Sequence, residues 1–346
     1  MAEIAGGPRA APPTLDDVAR AAGVSTATVS RCLNVPGRVR AETRRRVEAA
    51  IEALGYTPHF GGRALASNRT DTVGVVIPTM ENAIFARGVQ AMEETLAAEG
   101  TTLLIASSGY DPAREAAQIA ALIARGVDGL VLIGAARPET SYAPLARRGA
   151  PCVLAWTCDP YAPYPAIGFD NRAAAAAMTA RVLAEGHREI AMIAGVTRWN
   201  DRAAGRVAGV RAAAEAAGVP VPAGRIVEAP YAIEAGARAF ETLIAAHPAV
   251  TAVLCGNDVL AAGALMAARR RGIGVPGDVS VTGFDDIDLA AVTDPGLTTV
   301  HVPHRRMGDA AARALLALRD GGSVPEPTAF ATRIVARGSL GRPRHP

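Results

Sequence analysis

A short stretch near the N-terminus combines small polar side chains with one arginine, at spacings that suit contact with nucleic acid. Residues 25–34 read Ser-Thr-Ala-Thr-Val-Ser-Arg-Cys-Leu-Asn. On a helix that begins after Ser25, Val29 and Leu33 face the same way, which leaves Arg31 and the small residues outside. Small polar side chains at a helix N-terminus can approach base edges, and arginine can bind guanine through two hydrogen bonds. The stretch therefore predicts a helix that reads the major groove of DNA; the alternative is a helical hairpin with a solvated face.

Two further helices are needed to position that helix. Thr14 suits the N-cap of a preceding helix, with Asp17 at the capping-box position, and Gly23 suits its end. Ser25 is in turn a good N-cap for the helix that follows. Two short helices around a tight turn form a helix-turn-helix, in which the second helix lies in the major groove. A third helix is predicted after them, with a core face that comprises Val47, Ala50, Ile51 and Leu54.

This segment as a whole resembles the N-terminal signature of the LacI family of transcriptional regulators. The likeness covers residues 14–34, 39–44 and 47–58. It implies a helix-turn-helix domain over residues 14–58 that binds palindromic operator double-stranded DNA, and two readers of a palindrome imply a homodimer. The DNA contacts expected from the motif and the resemblance are Thr14, Ser25, Thr26, Ala27, Thr28, Ser30, Arg31, Asn34, Arg38, Tyr56, Ala64 and Leu65.

Residues 59–71 lie where the family has a hinge. The resemblance implies that this segment becomes a short helix on operator DNA, and that Leu65 wedges into the minor groove and unstacks a base step. Gly61 and Gly62 each disfavour a helix by about 1 kcal/mol relative to alanine, which suits a segment that orders only on binding. A plain flexible linker is the alternative.

Composition and charge exclude several function classes. All 36 basic residues of the 346-residue chain are arginine, so a Walker-A phosphate loop and a Schiff-base lysine are both excluded. Residues 14–69 contain nine arginines against five acidic residues, whereas the whole chain has a net charge of only +3. Phosphate contacts are therefore expected at one end of the chain. The six histidines are scattered and the four cysteines show no C-x-x-C spacing, so we expect reduced thiols, no metal site and no cofactor.

The sequence shows neither a membrane span nor an export signal. Its apolar runs stay below the roughly 18 residues that span a bilayer. Residues 1–13 carry glycine, proline and arginine but no apolar region, so they are not a secretory signal. We interpret them as a disordered lead-in. We therefore expect a cytoplasmic, nucleoid-associated protein with no membrane partner.

From Thr72 onward, apolar strands alternate with amphipathic helices, and the pattern repeats after residues 167–171. Strands that read as solid apolar runs indicate parallel sheets covered on both faces. The predicted fold class is α/β: an all-α helix-turn-helix domain followed by a two-lobed, periplasmic-binding-protein-like core of parallel sheets, which the resemblance also implies. The expected effector-binding and dimerisation domain spans residues 72–338, with an N-subdomain at about 72–169 and 302–325 and a C-subdomain at about 170–301 and 326–338.

Polar and aromatic residues follow the carboxyl ends of these strands, where open α/β sheets bind ligands. Residues 206–209, 256–258 and 283–286 also resemble the family's effector motifs. Carboxylates and amides that bind hydroxyl pairs, beside an aromatic ring, suit a sugar-like effector. The candidate effector contacts are Asn82, Phe85, Trp156, Arg202, Arg206, Tyr231, Asn257, Asp258 and Asp285.

Three of these motif residues have structural alternatives. Asp258 could instead cap a helix, Asp286 is expected to be a surface turn residue, and Arg206 could pair with an acid for structural reasons. The chain also departs from many relatives: Trp156 replaces an acid, and Val302 stands where glutamine is frequent. Because Arg198 lies near Arg202 and Arg206 in the same loop region, a sugar acid of the gluconate type is a second hypothesis for the effector.

Other function classes fit the sequence less well. An enzyme is disfavoured because the chain has no G-x-G-x-x-G after the first strand, no G-x-S-x-G elbow and no histidine cluster. A periplasmic sugar-binding protein would need a signal peptide and no helix-turn-helix, and a nucleoid architectural protein would lack the cleft residues. The sequence therefore predicts a ligand-responsive transcriptional regulator, most simply a repressor, in which ligand closes the cleft and changes operator affinity.

Overall fold

The computed structural model describes residues 12–57, 69–81, 83–325 and 328–344, apart from the side chains of Asn34 and Pro36. It divides into a helical unit that ends at Thr70 and a larger unit that begins at Asp71. Three predicted contacts, Ala64, Leu65 and Asn82, lie outside the described residues. Residues 59–68 of the predicted hinge and residues 1–11 of the N-terminal lead-in also lie outside them.

The helical unit contains α1 (Leu15–Ala22), α2 (Thr26–Asn34) and α3 (Ala41–Leu54), with a short 3-10 turn between the last two. The predicted capping box at the start of α1 is confirmed: Thr14 accepts a hydrogen bond from the Asp17 amide, and the Asp17 carboxylate accepts one from the Thr14 amide. Gly23 ends α1 with a φ of 63°, as predicted for a left-handed C-cap. Side chains from all three helices, Val18, Val29 and Val47, are fully buried in a common core.

The prediction that Leu54 belongs to the core face of α3 is wrong. Leu54 is 38% exposed, because Gly55 adopts a left-handed conformation with a φ of 60° and turns the chain back over the helix. The Tyr56 amide then donates to the Ile51 carbonyl, and the Tyr56 side chain takes the place in the core, with 6% exposure.

The first lobe of the larger unit is a parallel sheet with strand order β2-β1-β3-β4-β5. Its strands are β1 (Thr72–Ile77), β2 (Thr102–Ser107), β3 (Leu130–Ile133), β4 (Cys152–Ala155) and β5 (Ala166–Ile167). Its helices are α4 (Ala83–Ala98), α5 (Pro112–Ala124) and α6 (Ala143–Arg148). The residues of β1, β3 and β4 are all buried, as solid apolar strands require, whereas β2 is partly exposed because it forms an edge of the sheet.

The second lobe repeats this arrangement, with parallel strands in the order β7-β6-β8-β9. Its strands are β6 (Ile190–Gly195), β7 (Ile226–Ala229), β8 (Ala252–Cys255) and β9 (Ser280–Thr282). Its helices are α7 (Asn171–Ala184), α8 (Asp201–Ala216), α9 (Ile233–Ala246), α10 (Asp258–Arg270) and α11 (Asp288–Val292). In both lobes the carboxyl ends of the parallel strands lie at one edge of the sheet, where a ligand site is expected.

The chain then returns to the first lobe. Strand β10 (Thr299–His301) leads into helix α12 (His304–Arg319), and β11 (Arg333–Val335) pairs antiparallel with β10. Helix α12 packs so closely on α4 that a Cβ at Gly308 would overlap the Gly88 backbone. Strand β11 is only three residues long, because β10 offers only three residues for pairing. Within the described ranges, every helix is too short or too polar to cross a bilayer.

Candidate functional site

The outward face of α2 carries most of the predicted DNA contacts. Arg31 and Ala27 are exposed, and Thr26 and Ser30 are half-buried. Ser25 is the N-cap of α2: its Oγ accepts from the Thr28 amide at 3.2 Å and lies 2.9 Å from the Thr28 hydroxyl. The helix therefore presents a short surface of small residues at its start and the exposed guanidinium of Arg31 one turn later.

The remaining predicted contacts of this unit fall into different environments. Arg38 is exposed in the 3-10 turn after α2, and the Thr14 hydroxyl donates to Asp17 at 2.7 Å. This hydrogen bond and the one from the Thr14 amide are the main reasons why the pKa of Asp17 is lowered. Tyr56 corrects the sequence-based expectation: its side chain packs in the core of the unit and is not a surface contact. The side chain of Asn34 lies outside the described part of the chain.

A small pocket lies between the two lobes of the larger unit; we call it the inner cavity. Seven of the predicted effector residues meet there: Phe85, Trp156, Arg202, Arg206, Tyr231, Asn257 and Asp285. Sequence reasoning missed Ile84, Tyr110 and Asn200, which also line it. Tyr110 follows the end of β2, so the strand-end rule would have found it had it been applied to every strand.

Arg206 is the organising cation of the inner cavity. Its guanidinium donates to Asn171 Oδ1 at 2.9 Å and to the Gly256 carbonyl at 2.5 Å, and lies 3.4 Å from Asp285 Oδ1. It also stacks over the Phe284 ring, 3.8 Å from the centroid. Arg206 therefore pairs with an acid, which is the structural alternative that the sequence left open. Its side chain also lines the inner cavity.

Only one of the two carboxylate oxygens of Asp285 has a partner among the described residues. Its side chain is 1% exposed, and within the described part of the chain no hydrogen-bond partner of Oδ2 is found. Burial raises the pKa of Asp285, and the Arg206 charge opposes that rise. Because a buried acceptor without a partner is costly, Oδ2 marks a position where a ligand donor would stabilise the site.

Asp258 does not line the inner cavity, and the expectation that it contacts the effector is wrong. Its carboxylate is fully buried and accepts from the Ile287 amide at 2.8 Å and from the Thr299 hydroxyl at 2.5 Å. The alternative, that Asp258 caps α10, is also wrong, because Asn257 is the N-cap and accepts from the Leu260 amide. Burial and the nearby charge of Asp285 raise the pKa of Asp258 to about 7.

His304, which sequence reasoning did not single out, supports the aromatic wall. The Trp156 indole N–H donates to His304 Nδ1 at 3.1 Å, and the Trp156 ring packs edge-on against Phe85. Burial lowers the pKa of His304 to about 3, with the Arg206 charge as the next cause. The imidazole is therefore neutral, with its proton on Nε2, because an indole nitrogen only donates. Nε2 lies 3.9 Å from Asp285 Oδ1 and is buried without a hydrogen-bond partner among the described residues.

Asp201 and Arg202, at the start of α8, join the two lobes. Arg202 donates to the Ile133 carbonyl of the first lobe at 3.2 Å and to Asp201 at 2.8 Å. The other oxygen of Asp201 accepts from the Ala135 amide at 3.0 Å. Arg202 is thus paired and spans the cleft, whereas Arg198 is exposed outside the cavity lining.

Asp286, expected to be a surface turn residue, is largely buried and paired. Its carboxylate accepts from Arg337 at 2.6 Å and from His301 at 2.8 Å, and its side chain is 13% exposed. Burial alone would raise the pKa of Asp286, but these hydrogen bonds outweigh burial and lower it. The residue therefore fastens the crossover segment to the second lobe.

Comparisons with known proteins agree with this architecture. Residues 14–59 match the family model described as bacterial regulatory proteins, lacI family, and residues 179–340 match the model of a periplasmic binding protein-like domain. The HTH-type transcriptional repressor PurR of Klebsiella pneumoniae (strain 342) is 35% identical over 305 residues, which cover 88% of this chain and 89% of PurR.

Two solved structures extend the likeness to nearly the full length. The lac repressor dimer bound to operator and the anti-inducer ONPF superposes with a TM-score of 0.83 at 27% identity, over 96% of this chain and 100% of that one. The complex of the transcriptional regulator CelR with cellobiose superposes with a TM-score of 0.68 at 31% identity, over 94% of this chain and 99% of that one.

Proposed function

The chain belongs to the LacI family of bacterial regulatory proteins, a family of DNA-binding transcriptional regulators, and we propose that it is a homodimeric repressor controlled by a sugar-like effector. Operator DNA is bound by the helical unit, and the effector is bound in the inner cavity. The two sites are linked thermodynamically, so that each ligand changes the affinity for the other by the same factor.

The outward face of α2 binds in the major groove of the operator. Ala27 and the small polar residues allow a close approach to base edges, and Arg31 is placed to read a guanine. A homodimer places two such helices on the half-sites of a palindrome. The solved dimer of the lac repressor on its operator supports this arrangement by family likeness.

The binding of an effector is supported by one observation: Asp285 lines the inner cavity, and its buried Oδ2 has no hydrogen-bond partner among the described residues. A ligand hydroxyl group can donate to such an oxygen. Vicinal hydroxyls over an apolar ring face match a wall made of carboxylate, amide and aromatic side chains.

The charges around the inner cavity favour a neutral sugar over a sugar acid. Arg202 is neutralised by Asp201 and Arg206 by Asp285, while Arg198 points to solvent. A ligand carboxylate would therefore lie beside Asp285 without a new cation to compensate it. The likeness to CelR, which was solved with cellobiose, supports the neutral class, and a sugar acid of the gluconate type remains the alternative.

Effector control follows from the contacts between the lobes. The hydrogen bonds of Asp201 and Arg202 to residues 133–135 join the two lobes, so opening of the cleft would break them. An effector that contacts both lobes stabilises the closed arrangement by its difference in affinity for the two states. In a homodimer, closure then changes how the two DNA-binding units are presented to the operator.

A binding assay with the full-length protein tests the proposal. Fluorescence anisotropy is measured on palindromes taken from upstream of its own gene and the neighbouring genes, with shuffled duplexes as controls, and with panels of neutral sugars, sugar acids and nucleobases. We expect a preference for one palindrome of about a thousandfold or more, which a neutral sugar shifts. Equal affinity for palindrome and shuffled duplex would refute the regulator, and a response to nucleobases or sugar acids alone would refute the neutral-sugar class.

A further inference from the structure

We propose that Arg46 of α3 is a positioning residue for operator recognition, because it fixes the turn from which α2 starts. This inference rests on the proposed function, in which the outward face of α2 binds in the major groove. Arg46 is not among the DNA contacts that the sequence predicts. Its guanidinium lies over the end of α1, where Nη2 donates to the Ala22 carbonyl and, at 3.1 Å, to the Gly23 carbonyl.

The two carbonyls that Arg46 binds belong to the last residue of α1 and to its C-cap. The last carbonyls of a helix have no amide of a following turn to accept from. The amides of Gly23 and Val24 donate to carbonyls one turn back in α1, and the Ala22 and Gly23 carbonyls accept from the Arg46 side chain instead. The helix dipole also favours a positive charge at this end of α1.

The turn has room for the Arg46 guanidinium because residue 23 is glycine. A Cβ at Gly23 would lie 2.8 Å from Arg46 Nη2, which is closer than real Cβ atoms approach other atoms. Gly55, at the end of α3, adopts nearly the same left-handed conformation, with a φ of 60° against 63°, but a Cβ there meets no described atom within 4 Å. Alanine at these two positions therefore separates displacement of Arg46 from backbone strain.

The hydrogen bonds of Arg46 restrain the turn in a way that the core of the helical unit does not. Val18, Val29 and Val47 hold the three helices together, but apolar contacts are not directional. A planar guanidinium that binds two successive carbonyls restrains their orientation. Ser25, two residues after Gly23, is the N-cap of α2. The restraint therefore acts where α2 begins and sets the direction in which that helix leaves the turn.

The orientation of α2 matters for sequence discrimination and much less for attraction to phosphates. Base contacts need side chains within hydrogen-bond reach of particular base edges, whereas non-specific binding arises mainly from charge. A loosened turn therefore lowers affinity for the operator more than affinity for a shuffled duplex. A smaller folded fraction would lower both affinities by the same factor. Loss of a phosphate contact would also lower both, and would reduce the salt slope by about 1.

The test measures binding of the full-length protein to its preferred palindrome and to a shuffled duplex, by fluorescence anisotropy at several salt concentrations. Arg46→Met removes the hydrogen bonds to the turn, and Arg46→Lys keeps a charged donor. Arg45→Met, which removes an exposed charge from the preceding position of α3, is the control for charge. Gly23→Ala displaces the guanidinium from the opposite side, and Gly55→Ala is its control for backbone strain.

We expect Arg46→Met and Gly23→Ala each to lower the ratio of operator affinity to shuffled-duplex affinity by about tenfold or more, with an unchanged salt slope on the shuffled duplex. The double variant should show no lower a ratio than the weaker single variant, because both changes remove the same contact. Arg46→Lys should restore most of the ratio, and Arg45→Met and Gly55→Ala should leave it unchanged.

Two kinds of failure are distinguishable. If Arg46→Met keeps the wild-type ratio, or loses the same affinity on both duplexes, the positioning role of Arg46 is refuted and the proposed function stands. If the wild-type protein itself binds both duplexes equally, the proposed function fails and this inference fails with it.

Discussion

The guanidinium of Arg206 and the carboxylate of Asp285 form an ion pair that is buried on both sides, with 5% and 1% side-chain exposure and 3.4 Å between Nη2 and Oδ1. Each nitrogen of the Arg206 guanidinium has a partner: this carboxylate, Asn171 Oδ1 or the Gly256 carbonyl. The Asp285 carboxylate differs, because its Oδ2 lacks a partner among the described residues. The ion pair therefore holds Oδ1 of Asp285 in place and leaves Oδ2 able to accept a hydrogen bond from a ligand.

The first prediction concerns Asp285→Asn. The asparagine Oδ1 can keep the contact with Arg206, so its Nδ2 then faces the inner cavity and presents a donor where the ligand also donates. We expect the saccharide that shifts operator affinity to bind about a hundredfold more weakly, a loss of about 3 kcal/mol, measured by isothermal titration calorimetry. Asp294→Asn, which removes an exposed carboxylate of the same lobe, is the control. Undiminished affinity in Asp285→Asn would mean that Oδ2 does not contact the effector.

Much of the fold follows from local signals in the sequence. Caps such as Thr14 and Ser25 and the left-handed Gly23 were located from residue type alone, because each satisfies a helix end through its own side chain or backbone. The order of strands and helices followed from the alternation of apolar runs. The prediction for Leu54 failed because the left-handed Gly55 turns Tyr56 into the core in place of Leu54, and the pattern of apolar residues does not encode that turn.

In the candidate site, too, the sequence predicts some features and not others. Strand ends brought seven of the nine predicted effector residues to one cavity, because parallel sheets place those ends at one edge. The sequence could not show which polar side chains already form hydrogen bonds within the protein. Asp258 is held by Thr299, forty-one positions away, and Arg202 by the backbone of the other lobe. Such pairings depend on how the lobes close on each other, which no local pattern encodes.

The second prediction is a pH dependence of stability that is due to Asp258. Its pKa is about 7 in the folded protein and 3.8 when exposed, so the folded state holds the proton more tightly. The stability that this proton provides is full below pH 4 and is lost as pH rises through 7, on the order of 4 kcal/mol.

Asp258→Asn isolates this contribution, because the amide can accept from Ile287 and donate to the Thr299 oxygen without titrating. We expect the free energy of unfolding of the variant, relative to the wild type, to rise between pH 4 and 7, measured by urea titration at several pH values. The difference removes the opposite effect of His304 and His187, whose lowered pKa values destabilise the folded state in acid. A difference that is constant with pH would show that Asp258 is ionised throughout.

The third prediction concerns closure of the lobes. Gly134 has a φ of 73°, and a Cβ at this position would overlap the Arg202 guanidinium that bonds to Ile133. Gly134→Ala is therefore expected to displace Arg202, to favour the open cleft and to weaken binding of the effector saccharide by about tenfold or more.

Gly149→Ala is the matched control for backbone strain. Gly149 has a φ of 63° in the same lobe, but a Cβ there meets no described atom within 4 Å. Both variants should lose about 1 kcal/mol of stability to the left-handed conformation, measured by thermal unfolding. Only Gly134→Ala should lose effector affinity and show a larger radius of gyration by small-angle scattering in the presence of the saccharide. Equal effector affinity in the two variants would show that the position of Arg202 does not control closure of the lobes.

The fourth prediction concerns Arg31, whose exposed side chain lies on α2 beyond the small residues at its start. If Arg31 forms two hydrogen bonds with a guanine, Arg31→Ala should weaken binding to the operator by about 1–3 kcal/mol and leave binding to shuffled duplexes nearly unchanged. Anisotropy titrations on both duplexes, repeated at several salt concentrations, measure the two effects separately. Arg211→Ala removes the same charge from an exposed position of the larger unit and should change neither. If the loss were instead equal on every duplex, with a salt slope smaller by about 1, Arg31 would be a phosphate contact and the guanine would have to be read by another side chain of the same helix.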